Sequence, residues 1–319
     1  MPAQDAPVVL FSNHPTQSHP MRVVIIGSAG RLGSALAESY SRDVEVIPFG
    51  RNELDLIHPE SIRRALEPLE YDRLILPGAL TLVDYCESHE EEAFAANAEG
   101  PELIAEISAA KGAHVTYVST DFVFDGLSPV PYNEEQVARP LSVYGASKKK
   151  GEDLVLGVSD RNLVVRVSWL YSGGKPAFPE WIIGQAKENE NLALPGAKIG
   201  STTRAGDVVD YLRPLLGLAG ESPAHGIFHL ANSGQCSWQE WGQFCIDEAL
   251  ARGLALKGHK VEANRLEDIK AFVAPRPLNS VLDTSKFTAF TGITPRPWQE
   301  AMKEHFSTSP LFRPEESLV

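Results

Sequence analysis

Four consecutive apolar residues, Val23 to Ile26, run into Gly27. So short and continuous a run suits a strand buried on both faces of a parallel sheet. The period then changes: Leu32, Ala35, Leu36 and Tyr40 recur at helical spacing. Residues 44–50, 73–79, 114–120 and 162–170 read as further strands. Residues 59–69 read as a helix with Pro59 near its first turn, 90–112 as one long helix or two, and 144–157 as another helix. Strands alternating with helices in this way predict an α/β Rossmann-type fold, a doubly wound parallel sheet with right-handed crossovers.

Ligands of such sheets bind beyond the carboxyl ends of the strands. Polar or glycine-rich stretches fall there at 27–33, 50–56, 77–81, 119–126 and 168–174. Beyond residue 170 the pattern loosens. Helices are expected at 179–190, 205–220 and 237–253, and a short strand at 226–231. We read a nucleotide-binding domain over 21–170, which also receives part of 200–235. A smaller, discontinuous C-terminal lobe over 171–319 is expected to bind substrate. Residues 1–20, rich in Pro, Gln, Ser and His, read as a disordered extension, with Met21 as the functional start.

Composition narrows the function. Among 319 residues the net charge is −13, which argues against nucleic acid or an anionic membrane as the partner. No apolar run approaches the ~20 residues of a membrane span. Three cysteines, with no CxxC, fit a reducing cytoplasm rather than a disulfide framework. Nine histidines without HExxH spacing predict no metal site.

Gly27, Gly30 and Gly33 form G-x-x-G-x-x-G, with Ser28 inside it, between the first strand and its helix. Glycines let backbone approach a pyrophosphate, and the helix N-terminus offers free N–H groups and partial positive charge. The context therefore predicts a dinucleotide. An acidic residue ending the second strand would favour NAD(H), yet the chain there reads Phe49-Gly50-Arg51-Asn52. Arg51, assisted by Arg31, could pair with a 2′-phosphate. Each arginine could equally be a solvated surface charge. NADP(H) is the preferred cofactor on this reading, with NAD(H) still allowed. Asp55 and Leu56 sit where a strand-end loop could hold adenine; a turn aspartate and a buried leucine are the plain alternatives.

Ser119, Thr120 and Asp121 end the fourth strand. Tyr144 and Lys148 follow, 24 and 28 positions beyond Thr120, on one face of a helix. Reducing a ketone needs a hydride on carbon and a proton on oxygen. A tyrosine, with a pKa ordinarily of about 10, becomes a better acid near neutrality beside an ammonium. The Thr120 hydroxyl can orient the carbonyl. Lys149 and Lys150 read as solvated helix charges.

These residues resemble the extended short-chain dehydrogenase/reductases and, more narrowly, the dTDP-4-dehydrorhamnose reductase family. The resemblance runs from Met21 to Phe306. It rests on "GSAGRLG", "STDFVFDG", "PYNEEQVARPLSVYGASKKKGE", "VVRVSWLYS", "GIFHLANSGQCSWQEW" and "RPLNSVLDTSKF". It implies that Thr120, Tyr144 and Lys148 are catalytic. Gly30, Arg31 and Leu32 would touch the pyrophosphate, Asp55 and Leu56 would flank adenine, and Gly78, Ala79 and Leu80 would line the cofactor. Thr120, Asp121 and Trp169 would contact a nucleotide sugar; a core tryptophan is the alternative for Trp169. The implied reaction is NADP(H)-preferring reduction of a nucleotide-linked 4-keto-6-deoxysugar, dTDP-4-dehydro-L-rhamnose, with a homodimer allowed for.

The chain departs from the family at three places. Leu76, Pro77 and Gly78 replace small and polar residues. Lys198 and Thr202 stand at the Gln and Pro of a Gln-x-Gly-x-Pro-Thr pattern, with Thr203 keeping the Thr. Cys86 stands where a charged residue is common. Asn97 matches a family asparagine and reads as structural. A nucleotide-sugar epimerase or dehydratase shares the glycine turn and the Tyr/Lys pair. A regulatory subunit resembling the methionine adenosyltransferase β subunit is the rival from another class.

Overall fold

The structure is a computed structural model, and it describes residues 20–171, 175–218, 222–309 and 312. The expected N-terminal extension, apart from Pro20, lies outside these residues, as do Ser172, Gly173 and Gly174 of the 168–174 stretch.

Six strands form the main sheet. In chain order these are β1 (Arg22–Ile26), β2 (Glu45–Phe49), β3 (Arg73–Leu76), β4 (His114–Thr120), β5 (Leu163–Val167) and a last strand, Gly226–Leu230. Their spatial order is Gly226–Leu230, β5, β4, β3, β1, β2, and every pairing is parallel. Successive side chains of β1 serve opposite faces, as the pleat requires. Val23 and Ile25 pack with Leu32 and Leu36 of the first helix α1 (Arg31–Tyr40) and with Val208 and Leu212 of helix Ala205–Leu216. Val24 and Ile26 pack with Ile62 and Leu66 of α2 (Pro59–Leu66) and with Ile104 of helix Gly100–Ala110. Helices thus cover both faces of the sheet, and its strands read as near-continuous apolar runs for that reason.

A third cluster lies in the C-terminal half. Tyr171, Ile182, Leu194, Trp241, Ile246, Trp298 and Met302 are buried together there. Around it the chain makes short strands over 192–195, 199–200, 236–237, 261–264 and 279–280 that the apolar pattern does not mark. Several expected boundaries also move, two of them at strand ends beside the cavity. The third strand stops at Leu76 instead of running to 79, and the fifth stops at Val167. Both are cut where Pro77 and Trp169 redirect the backbone; Trp169, at φ 43°, is the one non-glycine residue of positive φ among the described residues. The 90–112 stretch is a helical run interrupted by a single wide turn at Ala95–Glu99, which contains Asn97.

Candidate active site

A cavity of about 580 Å³ opens beyond the carboxyl ends of β1, β3, β4 and β5. Its lining brings together nearly every residue singled out above. At one end are Gly27, Gly30, Arg31, Leu32 and Gly33, with Arg51, Asp55 and Leu56 beside them. Gly78, Ala79 and Leu80 form a wall, and Thr120, Asp121, Tyr144 and Trp169 close the other end. Ser28 and Lys148 are not among the lining residues. The Ser28 amide is committed to the Phe49 carbonyl at 3.1 Å.

The glycine end is a cradle shaped by missing side chains. Gly27 sits at φ 94°, and a Cβ on it would lie 2.5 Å from the Cα of Gly78. On Gly33 a Cβ would meet the Gly27 carbonyl oxygen at 2.1 Å. Helix α1 starts here without a side-chain cap and without an acidic residue in its first turn. Its free amides and the positive end of its dipole are therefore left for an anion, which is what a dinucleotide pyrophosphate needs. Arg51 stands at the rim, its side chain 74% exposed and 4.0 Å from Asp55. Arg31 donates instead to the Pro176 carbonyl at 2.5 Å.

The wall is held from behind by Asn97. Its Oδ1 accepts from the Leu80 amide at 2.8 Å, and its Nδ2 donates to the Leu80 carbonyl at 3.0 Å and to Ser147 Oγ at 3.1 Å. This fully buried amide thus ties the cavity wall to the helix that carries Tyr144, as a structural asparagine should.

At the polar end, β4 stops in a tight turn because the Thr120 hydroxyl accepts from the Phe122 amide at 3.2 Å. The same hydroxyl donates to Asp121 Oδ1 at 3.1 Å, and Ser168 Oγ donates to Asp121 Oδ2 at 2.9 Å. Helix Val143–Val158 begins with Ser142 as its cap, accepting from the Gly145 amide at 3.2 Å. Tyr144 therefore sits in the first turn, edge-on to Phe122 at 5.6 Å. Lys148, one turn further, buries its ammonium: Nζ donates to the Val118 carbonyl at 2.7 Å and lies 3.8 Å from the centre of the Tyr117 ring.

Burial sets the protonation chemistry. It pushes the Tyr144 phenol well above its ordinary value, with the Thr120 hydroxyl opposing. It pulls the Lys148 ammonium down to about 7, with Glu152 opposing. The Asp121 carboxyl is raised by burial, against its hydrogen bonds and the Lys198 charge. Two polar atoms of the lining, Ser119 Oγ and Trp169 Nε1, are buried without a hydrogen-bond partner among the described residues. Such atoms are what a polar ligand satisfies.

The arrangement is a glycine cradle at a helix N-terminus, joined to a hydroxyl, phenol and carboxylate cluster. A profile of the RmlD substrate binding domain matches residues 21–309. The chain belongs to the dTDP-4-dehydrorhamnose reductase family. The family's enzyme from Sinorhizobium fredii is 33% identical over 290 residues, which is 89% of this chain and 96% of that protein. That from Streptomyces griseus is 34% identical over 293 residues, covering 89% and 93%. The crystal structure of the Bacillus anthracis dTDP-4-dehydrorhamnose reductase, in complex with NADP, is 28% identical. It covers 91% of this chain and 99% of that one at a TM-score of 0.83. A Bordetella bronchiseptica enzyme, WbmG, shares the fold at a TM-score of 0.75 and 18% identity.

Sequence reasoning missed one tie beside this family member's cavity, next to the lining residue Val83. Asp84 Oδ1 accepts from the amides of Val273 and Ala274, at 2.8 and 2.9 Å, and Arg276 pairs with both carboxylate oxygens. This straps the 272–278 segment to the helix after β3 and holds the Asp84 carboxyl down at about 2. The two side chains are 192 positions apart, and no local pattern links them.

Proposed function

We propose that this chain reduces the C4 ketone of a nucleotide-linked 4-keto-6-deoxysugar, dTDP-4-dehydro-L-rhamnose, to the corresponding alcohol, with NADPH preferred over NADH. The observation that carries the reading is the shared cavity: a side-chain-free phosphate cradle opens onto Thr120, Tyr144 and Trp169. The glycines, with the α1 N-terminus, would hold the pyrophosphate. Arg51 would meet the 2′-phosphate, Asp55 and Leu56 would flank adenine, and Gly78, Ala79 and Leu80 would line the nicotinamide half. When bound, NADPH supplies the hydride that the ketone carbon takes up.

The chain's own residues handle the proton. Tyr144 Oη donates it to the ketone oxygen as charge develops there. Lys148 lies behind, with its Nζ on the Val118 carbonyl, and would hold the ribose hydroxyls of a bound cofactor and stabilise the phenolate left on Tyr144. Thr120 orients the carbonyl, and Asp121 and Trp169 hold the sugar. The cysteines Cys86, Cys236 and Cys245 are free and buried, in keeping with the cytoplasmic setting we propose.

The test is direct. NADPH and NADH oxidation is followed with a panel of nucleotide 4-ketosugars. Oxidation with dTDP-4-dehydro-L-rhamnose, faster with NADPH, is expected. An epimerase would instead retain NAD through purification, and a regulatory subunit would oxidise neither cofactor; either outcome overturns the reading.

A further inference from the structure

Lys198 is a fully buried lysine that the mechanism above does not use. Its Nζ donates to the Pro277 carbonyl at 2.7 Å. The same atom lies 5.5 to 5.6 Å from the ring centres of Phe122, Trp169 and Trp238. The charged groups that act on it are Asp121, from the end of β4, and Arg276, from the 272–278 segment. Arg276 is itself neutralised by Asp84. Lys198 therefore stands next to three residues of the cavity lining, Asp121, Phe122 and Trp169, without lining it.

We infer that Lys198 is a positioning residue for the sugar substrate: its charge keeps Asp121 a carboxylate and fixes the Trp169 indole. This rests on the reductase reading above. A buried carboxyl with no cation near it takes up a proton. Asp121 would then become a donor and could no longer accept from both Thr120 and Ser168. As a carboxylate it accepts from both, and so fixes where the Thr120 and Ser168 hydroxyls stand at the end of the cavity. Trp169 is held in a left-handed backbone conformation that is unfavourable for a bulky residue. Its ring stacks on Trp241 at 5.6 Å and meets Trp238 edge-on at 5.9 Å. The three-residue segment Lys198–Gly200 seats it, with an ammonium facing the ring from Lys198 and the indole packed where a side chain on Gly200 would stand. Burial brings the Lys198 ammonium down to about 8, with Asp121 opposing. The charge is therefore present at neutrality and lost in mild alkali.

The full chain tests this with Lys198→Gln, which keeps a donor toward Pro277 but loses the charge. NADPH affinity is expected to stay at the wild-type value. The ketosugar KM is expected to rise, and kcat/KM to fall by roughly ten- to a hundredfold, the scale of a misplaced reactant. Asp121→Asn added to Lys198→Gln should cost little more than either change alone, because the two act as one unit. An unchanged KM, or fully additive losses, overturns the inference. If Lys198→Gln does not fold, Lys198→Arg carries the test. It keeps its charge in alkali and should hold a low KM above pH 8, where the wild type loses it; a profile identical to the wild type's overturns the inference. A wild-type chain that binds NADPH but reduces no ketosugar defeats the reductase reading itself, and this inference with it.

Discussion

Arg166 grips both carboxylate oxygens of Glu152, at 2.8 and 2.7 Å, in a pair whose side chains are 2% and 0% exposed. The pair joins β5 to the helix that carries Tyr144 and Lys148, and Glu152 lies one turn beyond Lys148 on that helix. Its charge also works against the loss of the Lys148 proton. The guanidinium rests on the Phe124 ring, 5.0 Å from its centre. A bidentate, planar contact of this kind fixes orientation as well as charge.

Removing one partner should be severe. Glu152→Gln leaves a buried guanidinium unpaired and is expected to destabilise the fold by about 3–5 kcal/mol. Adding Arg166→Met should recover much of that loss, because the orphaned charge goes with it. Urea unfolding of the two variants checks this; equal stability of the single and double variants would contradict it.

Tyr144→Phe removes the proposed proton donor and leaves the ring packed on Phe122. Turnover is expected to fall by about 10²–10⁴-fold while NADPH binding, followed by fluorescence titration, stays unchanged. Near-normal turnover would sink the mechanism.

Arg51 can meet a 2′-phosphate because its side chain is exposed and its ion pair among the described residues, to Asp55, is long at 4.0 Å. Arg51→Ala should lower kcat/KM for NADPH by about tenfold, the weight of one charge-assisted contact, and leave the NADH value unchanged. Equal losses with both cofactors would remove Arg51 from cofactor choice.

Gly200→Ala places a methyl 2.5 Å from the Trp169 indole. The ring must move, and the expected result is a raised ketosugar KM with NADPH affinity kept. Steady-state kinetics with each ligand varied in turn decides it.

The buried lysines also set a pH dependence of stability. Burial lowers Lys148 to about 7 and Lys198 to about 8, from an ordinary 10.5. Between about pH 7 and 9 the unfolded chain therefore binds more protons at these two sites than the native one, and their cost to stability shrinks as pH rises. Denaturant stability is expected to rise across that interval, and Lys148→Met should flatten the slope. An unaltered slope in that variant would assign the effect elsewhere.

Much of the site was legible because it is built from local units. Gly27 to Gly33 form one βα turn, Thr120 to Phe122 one strand end, and Ser142 to Lys148 one capped helix start. Spacing along the chain reports directly on such units. The apolar runs of the sheet were readable for the same reason, since a strand covered on both faces carries few polar positions. Where strands end was less readable. The pattern of 73–79 stays apolar past Leu76, but Pro77 cannot continue the ladder and Gly78 packs closely against Gly27 there.

By itself, then, the order of residues determined the alternation of strands and helices, the glycine turn at the head of α1, and the strand end and helix start that carry Thr120, Tyr144 and Lys148. Tertiary structure alone decided that Asp84 meets Arg276 across 192 positions and that Lys198 meets the Pro277 carbonyl across 79. It also decided the left-handed turn at Trp169. Local periodicity follows from backbone geometry, which each few residues carry with them. A buried charge is different: its place depends on which distant carbonyl, carboxylate or ring the packed chain brings to it, because water is no longer there to serve in their stead.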